Sequence, residues 1–239
     1  MNTTKFNHPN KPLMVAHRGV SGLETENTCA AFVAAGNRSY YGIETDVHIT
    51  ADGRYVAFHD DETRRLAAED MIIEQTDFAT LRSLILRQRD GNFGRTDIRI
   101  PTMQEYIEIC KQYEKHAFLE IKFDAAENEI VEICDTIKRF DYLDHVTFLG
   151  NTEPLIRLRK LYPEQSAQLL AWELTDEFLD TMVKYRLDFG VCHKKLTKEQ
   201  LDLMHSKGIK VNVWVVNDVE TAAKLADWGV DFISSNILE

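Results

Sequence analysis

The amino-acid sequence predicts an α/β fold, a closed (β/α)8 TIM barrel with a small insertion after the second strand and a truncated last βα unit. Three observations lead there. Apolar runs rich in β-branched and aromatic residues alternate with helical patterns, which implies a parallel sheet with crossover helices. Eight such β units fit into 239 residues, a length that suits one barrel domain over 1–239 better than a doubly wound sheet. Short polar peptides follow several of the apolar runs directly, and a barrel gathers its functional side chains at the C-terminal ends of its strands.

The first strand reads LMVAH at 13–17, followed by a helical pattern over 28–37. GIETDVHI at 42–49 is the second strand; Ala51, Asp52 and Gly53 supply a turn, and RYVAFH at 54–59 returns. Residues 61–100 carry no clear βα unit and read as the insertion, ahead of a helix over 102–113. Its segment RQRDGNFGRTD at 87–97 is expected to overhang the barrel mouth, either tuning access or forming a plain surface excursion. FLEIK at 118–122 and a helix over 126–139 come next, then HVTFLG at 145–150 and a helix over 153–161 that Tyr162 and Pro163 end. SAQLLAW at 166–172 precedes a helix over 176–185, and FGVCH at 189–193 one over 196–208 with a Thr N-cap and a terminal Gly. KVNVWVV at 210–216, a helix over 218–228 and DFISS at 231–235 complete the series. Residues 236–239 are too few for an eighth helix, and residues 1–12 are expected to cover part of that gap.

A net charge of −11 argues against a nucleic-acid groove or an anionic membrane surface as partner, since both need a basic field. An anionic substrate must therefore be attracted locally. No apolar run of membrane-spanning length and no leader-like stretch in MNTTKFNHPNKPL occurs, so no stable membrane insertion and a cytoplasmic location are expected. Cys29, Cys110, Cys134 and Cys192 lack zinc-ligand or redox spacing and read as reduced core thiols.

Glu44 and Asp46 are two apart on a strand and point to one side; Glu120 ends another strand between apolar residues. Bare carboxylates cannot be buried without compensation. Two arrangements satisfy them: a hard cation held by three oxygen donors, or a salt-bridge network with Arg18 and Lys122. His17 and His59 each close an apolar run beside these carboxylates, the setting an acid and base pair requires. Arg18 offers a planar fork to two phosphate oxygens, or an ion pair to Glu44 or Glu120, and Lys122 suits either part. Trp214 reads as an apolar wall at the mouth or as barrel filling. His48 shares the parity of Glu44 and Asp46 but lies toward the hairpin, outside the expected site; Asp60 and Asp61 read as caps of the turn after His59.

With HRG at 17–19, ENT at 26–28, ETDVHITADGRYVAFHDD at 44–61, IPT at 100–102, LEIK at 119–122 and VNVWVVND at 211–218, the chain resembles the glycerophosphodiester phosphodiesterase family over nearly its whole length. The resemblance implies a TIM-barrel enzyme that uses one divalent cation, Ca2+ or Mg2+, held by Glu44, Asp46 and Glu120. It implies His17 and His59 as the acid and base, Arg18 and Lys122 at the phosphate, and Trp214 lining the alcohol pocket. Glu26 and Asn27 would brace the site or cap the first helix. The implied partner is a small-molecule glycerophosphodiester, hydrolysed to glycerol 3-phosphate and an alcohol. The alternatives are a lysophospholipase D-type or other phosphodiesterase on a lipid substrate, and a non-catalytic barrel that binds a phosphorylated metabolite. Two places depart from the family pattern: Thr25 stands where a Pro commonly precedes ENT, and FISSNILE replaces an Ile-Ile-Thr-Asp-x-Pro type ending, which bears on the last βα loop.

Overall fold

The predicted strands hydrogen-bond into a closed ring in a computed structural model that describes residues 2–239. Strand β1 (Leu13–Ala16) pairs in parallel with β2 (Gly42–Ile49), which turns back into β3 (Tyr55–Ala57), an antiparallel appendage outside the ring. The ring continues from β2 through β4 (His116–Ile121), β5 (Val146–Gly150), β6 (Ala167–Ala171), β7 (Asp188–Cys192), β8 (Val211–Trp214) and β9 (Phe232–Ser235), and β9 returns to β1. Helices α1 (Cys29–Gly36), α2 (Phe78–Ser83), α3 (Met103–Gln112), α4 (Glu127–Lys138), α5 (Thr152–Leu161), α6 (Asp176–Tyr185), α7 (Lys198–Ser206) and α8 (Val219–Trp228) fall between strands. Local sequence explains where most of them start. Thr28, Asp77, Thr102, Thr175, Thr197 and Asp218 each accept a first-turn N–H, which satisfies a donor the helix itself leaves open.

Some boundaries differ from the sequence expectation. The strand read as 118–122 starts at His116 and ends at Ile121, leaving Lys122 just past it. The run 210–216 is a strand only over Val211–Trp214, because its ladder to β7 ends where Trp214 meets Cys192. RYVAFH is trimmed to Tyr55–Ala57, and the Phe58 ring instead joins a small core of the insertion with Ile73, Leu81, Leu86, Ile98 and Ile100. That core carries two 3-10 turns, Thr63–Arg65 and Ile73–Gln75, besides α2. The loop at 87–97 is tied to the loop after β1: Arg95 pairs with Glu24 at 2.7 Å, and the Thr25 hydroxyl donates to the Arg87 carbonyl at 2.9 Å.

The main core lies between the ring and its helices, while Val15, Phe118, Leu149 and Phe232 form a separate apolar cluster. Strand β9 is followed by residues 236–239. These run beside the N-terminal segment, with backbone bonds from Thr4 to Ile237, from Glu239 to Thr4 and from Phe6 to Glu239. Phe6 and Leu238 are both buried there, so part of the 1–12 segment packs with the residues after β9. No described helix is long and apolar enough to cross a membrane.

Candidate active site

Register brings the acids together. In the β2–β4 ladder Asp46 lies directly opposite Glu120, and Glu44 is one pleat repeat earlier on the same face. One carboxylate oxygen from each of Glu44, Asp46 and Glu120 lies within 4.8 Å of the others. Burial, then the charges of Asp46 and Glu120, push Glu44 well above the usual carboxylate range. Burial and Asp46 push Glu120 up to about 7, against the pull of Lys122. Asp46 goes the other way: burial opposes it, but Arg18, His59, Lys122 and the Asn27 amide hold its carboxyl below the ordinary value.

The salt-bridge arrangement is only half made. Lys122 reaches Glu120 at 3.0 Å and Asp46 at 3.7 Å, and Arg18 Nε lies 3.3 Å from Asp46 without hydrogen-bond geometry. Arg18 also serves Glu26, so the three clustered carboxylates have only Lys122 and a shared Arg18 as cations. A cluster of hard oxygen donors that is short of positive charge, and in which two carboxyls are driven toward protonation, fits a divalent cation.

The HRG peptide supplies the next part. Arg18 and Gly19 take left-handed conformations, φ 56° and 72°, which turn the chain over the end of β1. A side chain at Gly19 would meet the Ala31 backbone at 2.7 Å, so glycine permits both the turn and the close approach of α1. The turn points the Arg18 N–H at Glu44 Oε2, 2.7 Å away. His17 lies 2.8 Å from Asn236 Oδ1 through Nδ1. Burial, then the Arg18 charge, lower the His17 pKa to about 4. The ring is therefore neutral near pH 7, with Nδ1–H donated to Asn236 and Nε2 left as the accepting nitrogen.

His59 lies 2.6 Å from Asp60 Oδ1 through Nδ1. This corrects the reading of Asp60 as a turn cap: it orients an imidazole. Burial raises the Asp60 carboxyl, but hydrogen bonds from Arg65 and His59 outweigh it and hold it at about 2. Arg65 donates to Asp60 at 2.6 Å and to both oxygens of Glu26 at 2.9 and 2.7 Å, and Glu26 accepts from Arg18 at 2.8 Å. Glu26 and Asn27 are thus braces, while Thr28 is the helix cap. Asn27 donates to Asp46 and accepts from the Thr45 hydroxyl, both at 2.8 Å.

A cavity of about 250 Å³ opens at this rim. His17, Arg18, Glu44, His59, Glu120 and Lys122 line its polar side, and Leu149, Leu170, Ala171, Trp172 and Trp214 its apolar side. Trp214 stands as a wall with its ring 5.8 Å from that of Trp172; its buried indole N–H has no partner among the described residues. His48 is 1% exposed, lies 3.3 Å from the His59 carbonyl and does not line the cavity, as its position near the hairpin implied. No residue of 61–100 lines it either. Sequence reasoning missed Asn236, Arg65 and Trp172. None of the three stood out: Asn236 follows β9 in the stretch that departs from the family ending, but that departure bore only on the shape of the last loop.

The model of the glycerophosphoryl diester phosphodiesterase family matches residues 17–237. The chain is 24% identical to a glycerophosphodiester phosphodiesterase of Bacillus subtilis, over 95% of this chain and 84% of that one. It is 29% identical to a lysophospholipase D of Homo sapiens over 64% of this chain and 48% of that one. A solved phosphodiesterase of Oleispira antarctica, in complex with the product sn-glycerol-3-phosphate, superposes with a TM-score of 0.84 at 27% identity, over 95% and 93% of the two chains. The family match begins at the first imidazole of the cavity and runs past the last strand of the ring, and the chain accordingly belongs to the glycerophosphoryl diester phosphodiesterase family, a family of hydrolases.

Proposed function

We propose that this cavity hydrolyses a glycerophosphodiester to glycerol 3-phosphate and an alcohol, with His17 and His59 as the proton-transfer pair. The observation that carries the reading is the meeting of two imidazoles, two cations and two of the three clustered carboxylates on one wall of one cavity. Glu44, Asp46 and Glu120 hold one divalent cation, Ca2+ or Mg2+, in keeping with an all-oxygen donor set. When bound, that cation supplies Lewis-acid polarisation of the phosphoryl group and offsets the charge of the three carboxylates.

The side chains divide the remaining work. Arg18 and Lys122 hold phosphate oxygens and spread the charge that develops on them. His17, neutral with Nε2 free, takes the proton of the attacking hydroxyl, which comes from water or from the glycerol itself by way of a cyclic phosphate. His59, held through Nδ1 by Asp60, gives the proton of Nε2 to the departing alkoxide. The organic part of the substrate rests on Trp214, Trp172 and Leu170.

Steady-state kinetics on a panel of glycerophosphodiesters, after chelation and after metal replacement, test the reading. His17→Ala and His59→Ala are each expected to lower kcat by about 10²–10⁴-fold, the range of general acid–base catalysis. Chelation is expected to abolish turnover, and Ca2+ or Mg2+ to restore it. Near-native turnover in both variants rejects the assignment.

A lipid substrate is the second reading, and one observation favours it. The apolar wall adjoins a further hollow of about 370 Å³ at Leu170, lined in part by Phe123, Leu169 and Phe178. Faster cleavage of lysophosphatidylcholine than of glycerophosphocholine, under the same metal conditions, would select it.

A further inference from the structure

We propose that Arg65 is a positioning residue that ties Arg18 and His59 into one unit, so that the group gripping the phosphate and the group carrying the proton keep a fixed separation. The inference rests on the reading above, in which those two side chains act on the substrate. Arg65 does not line the cavity. It sits on the Thr63–Arg65 turn of the insertion and spans two carboxylates at once: Nε to Asp60 Oδ2 at 2.6 Å, and the two terminal nitrogens to Glu26 at 2.9 and 2.7 Å. Each carboxylate is engaged on its other side by a residue of the cavity. Asp60 Oδ1 holds His59 Nδ1 at 2.6 Å, and Glu26 Oε1 accepts from Arg18 at 2.8 Å. The result is an alternating series, Arg18, Glu26, Arg65, Asp60, His59, in which every contact is a charge-assisted hydrogen bond or ion pair.

Three features separate this series from an incidental surface ion pair. Its two carboxylates are shielded, with Glu26 at 18% and Asp60 at 29% side-chain exposure. The contact to Glu26 is bidentate, a geometry that a guanidinium provides and an ammonium does not. The turn that carries Arg65 is anchored: Thr63 is fully buried, and its hydroxyl donates to the Glu69 carbonyl while its N–H donates to Met71. An insertion that supplies no wall to the cavity, yet maintains its own core of Phe58, Ile73, Leu81 and neighbours, thereby acquires a role in catalysis. Without Arg65, Glu26 keeps only Arg18 as a partner and Asp60 is free to turn away from the imidazole.

The test uses the full chain with saturating cation on a glycerophosphodiester that the wild type cleaves. Arg65→Ala is expected to lower kcat by about 100-fold, the scale of a small misplacement of reacting groups, with a smaller rise in KM. Millimolar guanidinium is expected to restore part of that loss, where sodium chloride at equal ionic strength does not. Arg65→Lys keeps the stem and the charge, and so provides a folded comparison; it is expected to remain about tenfold below wild type. The downfield proton resonance of the His59 Nδ1–H reports the same coupling without turnover, and is expected to shift or broaden in both variants. Wild-type kcat in both variants overturns the proposal, and so does a loss of kcat with an unchanged His59 resonance and no guanidinium rescue, which marks a merely structural role. His59→Ala, measured alongside, separates the two levels: if it stays active, the underlying assignment fails whatever Arg65 does, and if it is inactive while both Arg65 variants match wild type, only the coupling fails.

Discussion

Asn236 shows how a side chain with no chemistry of its own can set a tautomer. Its Oδ1 accepts from His17 Nδ1 at 2.8 Å and from the Ser21 hydroxyl at 3.0 Å, so the imidazole presents Nε2 to the cavity in one orientation. Asn236→Ala is expected to lower kcat by about tenfold through a freed ring, with an unchanged melting curve; steady-state kinetics beside thermal denaturation check both. The site was legible where a residue breaks a local rule. Glu44, Asp46 and Glu120 stand out because carboxylates within apolar strands demand compensation, and His17 and His59 because each ends such a strand. Asn236 was not legible, since an asparagine after a strand is ordinary and its partner lies 219 positions away. Asp60 read only as a cap of the turn after His59, and nothing in the polar run HDDETRR marks Arg65 until the turn folds that run back on itself.

Strands such as β5 could be placed from composition because ring strands are buried on both faces and leave an apolar run between turn residues, while β2 and β4 read as such runs broken by Glu44, Asp46 and Glu120. The insertion resisted for the opposite reason. Ile73, Leu81, Leu84, Leu86, Ile98 and Ile100 share a core without sharing a helical or strand period, so no window of the sequence displays them as a unit. Leu81, fully buried on the short helix α2, tests whether that core is structural in its own right. Leu81→Ala is expected to cost about 2–4 kcal/mol, as for other large-to-small substitutions in a close-packed interior, measured by urea denaturation. The register between β2 and β4 was equally beyond the sequence, yet it decides that Asp46 meets Glu120 rather than one of the apolar residues beside it.

For the molecule as a whole, the closure of the ring is the distinguishing feature. Residues 236–239 and the N-terminal segment share backbone bonds, and the Glu239 side chain pins the arrangement. It accepts from the Ser39 N–H at 2.7 Å, from the Ser39 and Thr3 hydroxyls, and pairs with Lys5 at 3.2 Å. Burial raises its carboxyl, but these bonds outweigh it and hold it at about 2, against an ordinary value of 4.5. A depressed folded-state value means that the charged form stabilises the fold above pH 4.5, and that this contribution fades as the pH falls through about 2. Glu239→Gln is therefore expected to be less stable than wild type at neutral pH, with the gap closing between pH 4.5 and 2 in denaturant titrations. A net charge of −11 repels anions at long range, so under the proposed function the substrate phosphate depends on the local cations Arg18 and Lys122.

The strap that follows β9 has Asn236 at the mouth and Glu239 at its other end, with two residues between them. Latch and grip are thus one short piece of chain: whatever loosens the join between the first and last staves also slackens the hold on the His17 imidazole.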